Sequence, residues 1–325
     1  MENGTDQDSV WKMGGFNEVI YSGHERYLIL QGGKLKRSIW LLVPLAIIIV
    51  LTMTIVGCGE SATTTTSSNP ATTSATTTQP TSSRLSGTIT EAGSTTVQPV
   101  AEKLANAFME KYPDITVVIQ GGGSSTGVKA AAEGTVDIGA ASRDLKENEI
   151  GTVVERLLAR DGIAIVVHPS RTVSNLTTGQ IRQIFSGEIT KWSDVGGSDA
   201  TINVVAREEG SGTRAAFEEM VMGESLVAAL AILQPSNGAV RTTVSGDPDS
   251  IGFLSFGYVD DTTKALSIDG VAGTVENAKN GTYPIVRPLL FLIKDEPEGI
   301  VKEFIDFCLG SEGQEIVAEE YISVN

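Results

Sequence analysis

The sequence predicts an α/β fold in which parallel sheets are covered by helices. Three observations carry this expectation. Strand-like and helix-like patterns alternate from Leu85 onward. Loops rich in Gly, Ser and Thr follow strands and open helices. About 240 residues are available to fold, enough for one large domain or two lobes of roughly 120 each.

The elements follow in order. Ser86 to Gly93 reads as a short strand ending in glycine, and Val100 to Lys111 places Leu104, Ala107 and Phe108 at helical spacing. Ile115 to Ile119 is a β-branched run typical of a buried strand. A helix is expected over Gly127 to Glu133, and strands over Val136 to Ala140 and Ile163 to Val167. A second unit begins with a helix at Thr178 to Phe185, capped by Thr177-Thr178. A strand at Ile202 to Ala206, a helix at Thr213 to Val221 and a strand at Ile251 to Val259 come next. Val286 to Ile293 reads as a strand and Ile300 to Glu320 as helices. No internal repeat is visible.

The first 85 residues are of another kind. Residues 1–37 form an N-terminal extension that ends in Lys34, Lys36 and Arg37. Residues 38–58 hold an apolar run that closes in Ile55-Val56-Gly57-Cys58. Basic flank, apolar core and a small residue before a break is the layout of a secretory signal. The end resembles a lipobox, with Cys58 as the lipid anchor. About 20 apolar residues also suffice to span a bilayer, so an uncleaved membrane helix is the alternative. Both place the basic residues inside and the folded part on the extracytoplasmic face of the cell membrane. Residues 59–85 are mostly Ser and Thr and read as a flexible tether. Fully extended, it reaches ~75 Å.

The formal net charge is −16, and residues 1–57 carry five basic and five acidic groups, so the whole charge falls on the remainder. That argues against nucleic acid as a partner. It does not exclude an anion ligand, because an anion site is made by local groups. The two cysteines, Cys58 and Cys308, suggest neither a disulfide framework nor a metal cluster, and no cofactor is expected.

Three loops share one design: Gly93-Ser94-Thr95-Thr96, Gly121-Gly122-Gly123-Ser124-Ser125-Thr126-Gly127 and Gly210-Ser211-Gly212-Thr213-Arg214. A helix N-terminus presents free N–H groups and a partial positive charge. Hydroxyls add donors, and three such termini converging would hold a tetrahedral oxyanion. Each loop alone reads equally well as a capped helix after a turn. The second loop is not a nucleotide-binding P-loop. Gly122 and Gly127 have the spacing, but Val128 follows and the lysine arrives one place late, at Lys129. Arg207 precedes the third loop, and a guanidinium binds two phosphate oxygens at once. Glu209 is placed to orient it. Ser142-Arg143 follows a strand at the sheet edge where ligands of open α/β folds bind. A surface ion pair of Arg143 with Asp144 or Glu147 is the plain alternative.

Here the sequence resembles the phosphate-specific substrate-binding proteins of ABC transporters. The likeness runs through residues 86–325. It is carried by Ala92-Gly93-Ser94-Thr95-Thr96-Val97-Gln98-Pro99, the glycine-rich second loop, Gly139-Ala140-Ala141-Ser142-Arg143, Ile184-Phe185-Ser186-Gly187-Glu188-Ile189-Thr190-Lys191-Trp192, Arg207 to Arg214, Ser250-Ile251-Gly252-Phe253 and Tyr283-Pro284-Ile285-Val286-Arg287-Pro288-Leu289. The resemblance implies a two-lobed type II periplasmic-binding-protein (Venus-flytrap) fold. Lobe one would be 86–166 plus 258–325 and lobe two 167–257, joined by two strands crossing near Val166 and Phe256.

The resemblance puts the anion contacts on Thr95, Thr96, Ser124, Arg207, Ser211, Gly212 and Thr213. Ser94, Ser125, Ser142 and Arg143 complete the expected phosphate-binding set. Some members carry an aspartate where this chain has Ser142 followed by Arg143. An aspartate there accepts a hydrogen bond from the protonated phosphate oxygen and so rejects sulfate, which leaves Asp144 and Glu209 as acceptor candidates. The implied function is extracytoplasmic capture of inorganic phosphate and delivery to ABC permease subunits by a monomer held at the membrane through its N-terminal anchor. Another tetrahedral oxyanion, such as sulfate, molybdate or tungstate, is the alternative ligand. A phosphatase is the rival class, and no Ser/His/Asp set or metal cluster supports it, so no catalysis is expected. Trp192 and Cys308 read as core residues and His168 as a hinge or surface residue.

Overall fold

The computed structural model describes residues 85–324. The expectations for the N-terminal extension, the apolar run, Cys58 and the Ser/Thr-rich tract lie outside them. The chain runs β1 (Gly87–Gly93), α1 (Gln98–Lys111), β2 (Ile115–Gly121), α2 (Ser124–Glu133), β3 (Ile138–Ala141) and β4 (Val154–Val167). It continues through β5 (Asn175–Leu176), α3 (Thr178–Ser186), β6 (Asn203–Arg207), α4 (Gly212–Phe217), β7 (Ile232–Gln234), α5 (Asn237–Gly246) and β8 (Ser250–Ser255). It closes with β9 (Lys264–Ala265), β10 (Ser267–Ile268), α6 (Val275–Lys279), β11 (Val286–Ile293), α7 (Gly299–Leu309) and α8 (Ser311–Val317).

The main sheet has the order β2-β1-β3-β11-β4-β8-β6-β7, with β9 added on β4, and it serves two lobes. The first three strands are parallel, as expected. The sheet as a whole is mixed, because β11 runs antiparallel to both β3 and β4, and β8 antiparallel to β4. A chain that leaves the first lobe and returns must re-enter its sheet from the opposite direction.

Each lobe has its own core. In the first, Leu104 and Phe108 of α1 meet Phe304 of α7, with the Phe108 and Phe304 rings 5.1 Å apart. In the second, Phe217 stacks on Phe253 at 4.1 Å, beside Phe185 and Trp192. Each such aromatic ring, fully buried, contributes about 1.5–3 kcal/mol. Trp192 is buried, as its sequence context suggested, and donates its ring N–H to the Asp249 carbonyl at 3.0 Å. Cys308 is also fully buried.

The crossing between lobes lies elsewhere than the sequence suggested. β4 pairs with β11 as far as Gly162↔Val286, then with β8 from Ile163↔Ser255. Ile163 also donates its N–H to the Ile285 carbonyl at 3.0 Å. The two chain passages therefore stand side by side at Gly162 and Val286, not at Val166 and Phe256. A Cβ on Gly162 would fall 2.2 Å from the Phe256 ring, so glycine lets that ring close over the crossing. The segment after Phe256 also differs from expectation. β10 pairs with β5 and β9 with the end of β4. Leu266, Ile268, Ala278, Tyr283 and Ile285 pack in the second-lobe core. Their apolar side chains find the open face of α3 and β5, so 264–285 packs with the second lobe and not the first.

Candidate functional site

Three helix starts meet where the lobes touch. Ser94 opens the first: its Oγ accepts the N–H of Thr96 at 3.1 Å and of Val97 at 3.4 Å. Ser94 thus caps the turn that presents Thr95 and Thr96. Gly123, at φ 90°, turns the chain into α2 and brings Ser124 forward, fully buried. Ser211 caps α4 by accepting from the Arg214 N–H at 3.2 Å. The Gly212 and Thr213 amides, in the first turn, have no intrahelical partner.

The second lobe brings Thr213, Arg207 and Asn237 against this edge of the first lobe. Thr96 Oγ1 and Thr213 Oγ1 lie 3.2 Å apart. Asn237 Nδ2 donates to Thr96 Oγ1 at 2.9 Å and to Thr95 Oγ1 at 3.4 Å. Arg207 Nη2 reaches Thr95 Oγ1 at 3.3 Å, and Nη1 reaches Thr213 Oγ1 at 3.5 Å. The Ser125 N–H donates to the Gly210 carbonyl across the same seam at 3.1 Å. Ser124 Oγ accepts the Ser142 N–H at 3.0 Å and lies 3.3 Å from the Ser142 hydroxyl.

Arg207 is aimed by the main chain. It donates to the carbonyls of Gln234 at 3.1 Å and Pro235 at 2.9 Å, at the end of the edge strand β7. Burial, and secondarily the nearby charge of Arg287, pulls its pKa down to about 10, so it stays charged at neutral pH. Glu209 does not hold it. Glu209 lies instead on an outer cleft of ≈ 270 Å³ that also has Arg143, Lys146, Ser211, Arg214 and Glu218 on its walls.

Arg143 is the expected site residue that stands apart. Its two Nη atoms clasp Glu149 at 2.7 and 2.9 Å, and Nη2 also meets Ser125 Oγ at 3.3 Å. The ion pair foreseen for it exists, with Glu149 as partner rather than Asp144 or Glu147. Of the expected set, Thr95, Thr96, Ser124, Ser142, Arg207 and Thr213 gather in one buried group. Ser94 and Ser211 act there as caps, Gly212 lies against the two serines, and Ser125 and Arg143 lie toward the outer cleft.

Three residues of the group went unassigned in the sequence. Asn237 opens α5, a helix of weak helix formers that the pattern did not reveal. Arg287 and Asp161 are an ion pair at 2.9 Å, both with fully buried side chains. Burial pushes the Asp161 carboxyl up and the Arg287 guanidinium down, each against the pull of the other. A charged residue inside the apolar strand Val286 to Ile293 was the available signal. Two tyrosines brace the first loop: Tyr258 donates to the Thr95 carbonyl at 2.7 Å, and Tyr321 to the Thr96 carbonyl at 3.1 Å. His168 makes a local contact to Ser170 at 2.8 Å.

This geometry has relatives. Residues 70–312 match the PBP superfamily domain. The phosphate-binding protein PstS of Bacillus subtilis (strain 168) is 34% identical over 247 residues, covering 74% of this chain and 82% of its own length. A crystal structure from Clostridium perfringens, described as a phosphate ABC transporter substrate-binding protein with bound phosphate, is 43% identical. It superposes with a TM-score of 0.72 over 74% of this chain and 100% of its own. An ABC-type phosphate transport receptor from Vibrio cholerae is 37% identical, with a TM-score of 0.63 over 73% of this chain and 100% of its own. With about three quarters of its length aligned and the same two-lobed architecture, the chain belongs to the PBP superfamily and, within it, to the family of the PstS phosphate-binding proteins.

Proposed function

We propose that this protein binds inorganic phosphate between its lobes and hands it to an ABC importer. One observation carries the reading: hydroxyls from three helix starts and the Arg207 guanidinium converge on one buried spot. Such starts offer N–H groups and positive potential to an oxyanion. A guanidinium adds charge-assisted hydrogen bonds, each worth about 1.5–3 kcal/mol. Thr95, Thr96, Ser124, Arg207 and Thr213 are the proposed contacts, with the free first-turn amides of Gly212 and Thr213. Arg143, held by Glu149 and close to the Ser125 hydroxyl, lines the outer cleft. Closure over the ligand supplies the signal for docking on the permease. The protein works on the extracytoplasmic face, held there through its N-terminal segment, and performs no catalysis.

Titration calorimetry with phosphate tests the reading, with sulfate as competitor. Micromolar binding corresponds to roughly −8 kcal/mol. Arg207→Ala is expected to weaken it by ~100-fold or more, about two charge-assisted hydrogen bonds. An unchanged affinity in that variant would remove Arg207 from the site. Displacement of phosphate by an equal amount of sulfate would make the protein a general oxyanion receptor.

A further inference from the structure

The Arg287–Asp161 pair stands beside the crossing between the lobes. Arg287 and Asp161 are register partners, one step from Gly162↔Val286. Asp161 Oδ2 accepts from Arg287 Nε at 3.2 Å and from Nη2 at 2.9 Å. The guanidinium then reaches forward to the proposed anion spot. Nη1 meets the Ser142 carbonyl at 3.2 Å, and Nη2 meets Thr96 Oγ1 at 3.0 Å. A buried ion pair is a weak device for stability, since apolar residues of the same volume usually serve as well. Its reach toward Thr96 gives it another use.

Thr96 Oγ1 has two lone pairs and one hydrogen. Arg287 Nη2 fills one lone pair at 3.0 Å, and Asn237 Nδ2 fills the other at 2.9 Å. The hydrogen can then only be given away. Its remaining neighbour is Thr213 Oγ1 at 3.2 Å, which in turn faces Asn237 Oδ1 at 3.5 Å, and that oxygen is fixed by the Ser255 N–H at 3.2 Å.

We propose that Arg287, aimed by Asp161, is a positioning residue that fixes the Thr96 hydroxyl as a hydrogen-bond donor, so that the site favours a deprotonated phosphate oxygen at that point. The proposal rests on the phosphate reading. Asp161 acts through Arg287, and Arg287 through Thr96. The pair is neutral as a unit, so its removal leaves the formal charge of the site unchanged.

The experiment compares phosphate affinity near pH 5, where the dihydrogen form prevails, with that near pH 8, where the dianion prevails. The double variant Arg287→Met with Asp161→Asn frees one Thr96 lone pair and lets the hydroxyl turn round to accept. The wild-type preference for the dianion is expected to shrink by about fivefold, the worth of one hydrogen bond. A merely structural role would weaken both forms alike and leave the ratio untouched, which would overturn the proposal. Thr96→Val reaches the same donor without disturbing the ion pair, and the same loss of preference is expected from it. An unchanged ratio in Thr96→Val overturns the proposal even if the double variant fails to fold. Wild-type protein that takes no phosphate at either pH, with Arg207→Ala indistinguishable from it, would instead sink the phosphate reading itself.

Discussion

Gly212 sets how closely the two lobes approach. A Cβ at this position would lie 2.2 Å from Ser124 Oγ and 2.6 Å from Ser142 Oγ, both buried in the opposite lobe. Neither serine can retreat easily, because the Ser142 N–H is tied to Ser124 Oγ at 3.0 Å. Gly212→Ala is therefore expected to hold the lobes apart by roughly the thickness of a methyl group. Phosphate affinity should fall by at least ~10-fold, the effect of a small misplacement of converging groups. Small-angle scattering reads the same event: the wild type contracts on adding phosphate and the variant does not. Equal contraction in both would mean the seam is softer than these distances imply. At this scale the sequence exposed some of the site and hid the rest. Arg207 and Thr213 were legible because they flank a Gly-Ser-Gly turn, a local signature. Arg287 was not, since its meaning depends on register with Asp161, 126 positions away. Asn237 shares that difficulty: its partners Thr95 and Thr96 are more than 140 positions distant.

Elements with strong local chemistry were readable, and those made by pairing were not. The start of α3 is the clear case. Thr177 Oγ1 accepts the Gln180 N–H at 3.1 Å, and Gln180 Oε1 accepts the Thr177 N–H at 2.9 Å. This reciprocal arrangement satisfies two amide donors that the helix leaves open. Thr177→Ala should cost about 1 kcal/mol of stability, measured by urea unfolding, and leave phosphate affinity unchanged. A loss of affinity there would show that α3 takes part in closure. The first half of β4 gave no comparable signal. Its stretch Val154-Glu155-Arg156-Leu157-Leu158-Ala159-Arg160-Asp161 breaks strict alternation, and its register with β11 shifts between Leu289 and Leu290. An irregular pairing blurs the period by which a strand is recognised. The short strands β5, β9 and β10 have two residues each, too few for any period. The crossing was misplaced for the same reason, since the partner of each strand is a property of the fold and not of the segment.

At the scale of the whole molecule, one buried carboxyl links stability to pH. Glu91 lies on β1 within the first-lobe interior, about 1% exposed, and both of its oxygens lack a hydrogen-bond partner. Burial raises its pKa from 4.5 to about 8, with a smaller push from Glu102. The folded protein therefore holds this proton between about pH 4.5 and pH 8 while the unfolded chain has lost it. Stability from this group is full below that window and falls as pH rises through it, by up to about 5 kcal/mol. Glu91→Gln should flatten the decline, and thermal unfolding across the window would show the two curves diverging upward in pH. Parallel curves would mean the carboxyl finds a partner in solution. A second consequence of the architecture concerns the order in which the chain is made. β11 lies between β3 and β4 in the sheet, yet it is the last strand synthesised. The strands of the second-lobe sheet are complete once the chain has reached β9, whereas the first-lobe sheet lacks an inner strand until Ile293 has emerged. Until then β3 and β4 have no common neighbour, so the amino-terminal lobe stays unfinished for almost the whole of its synthesis. On the extracytoplasmic reading proposed above, that delay would keep the chain an open polymer during its export.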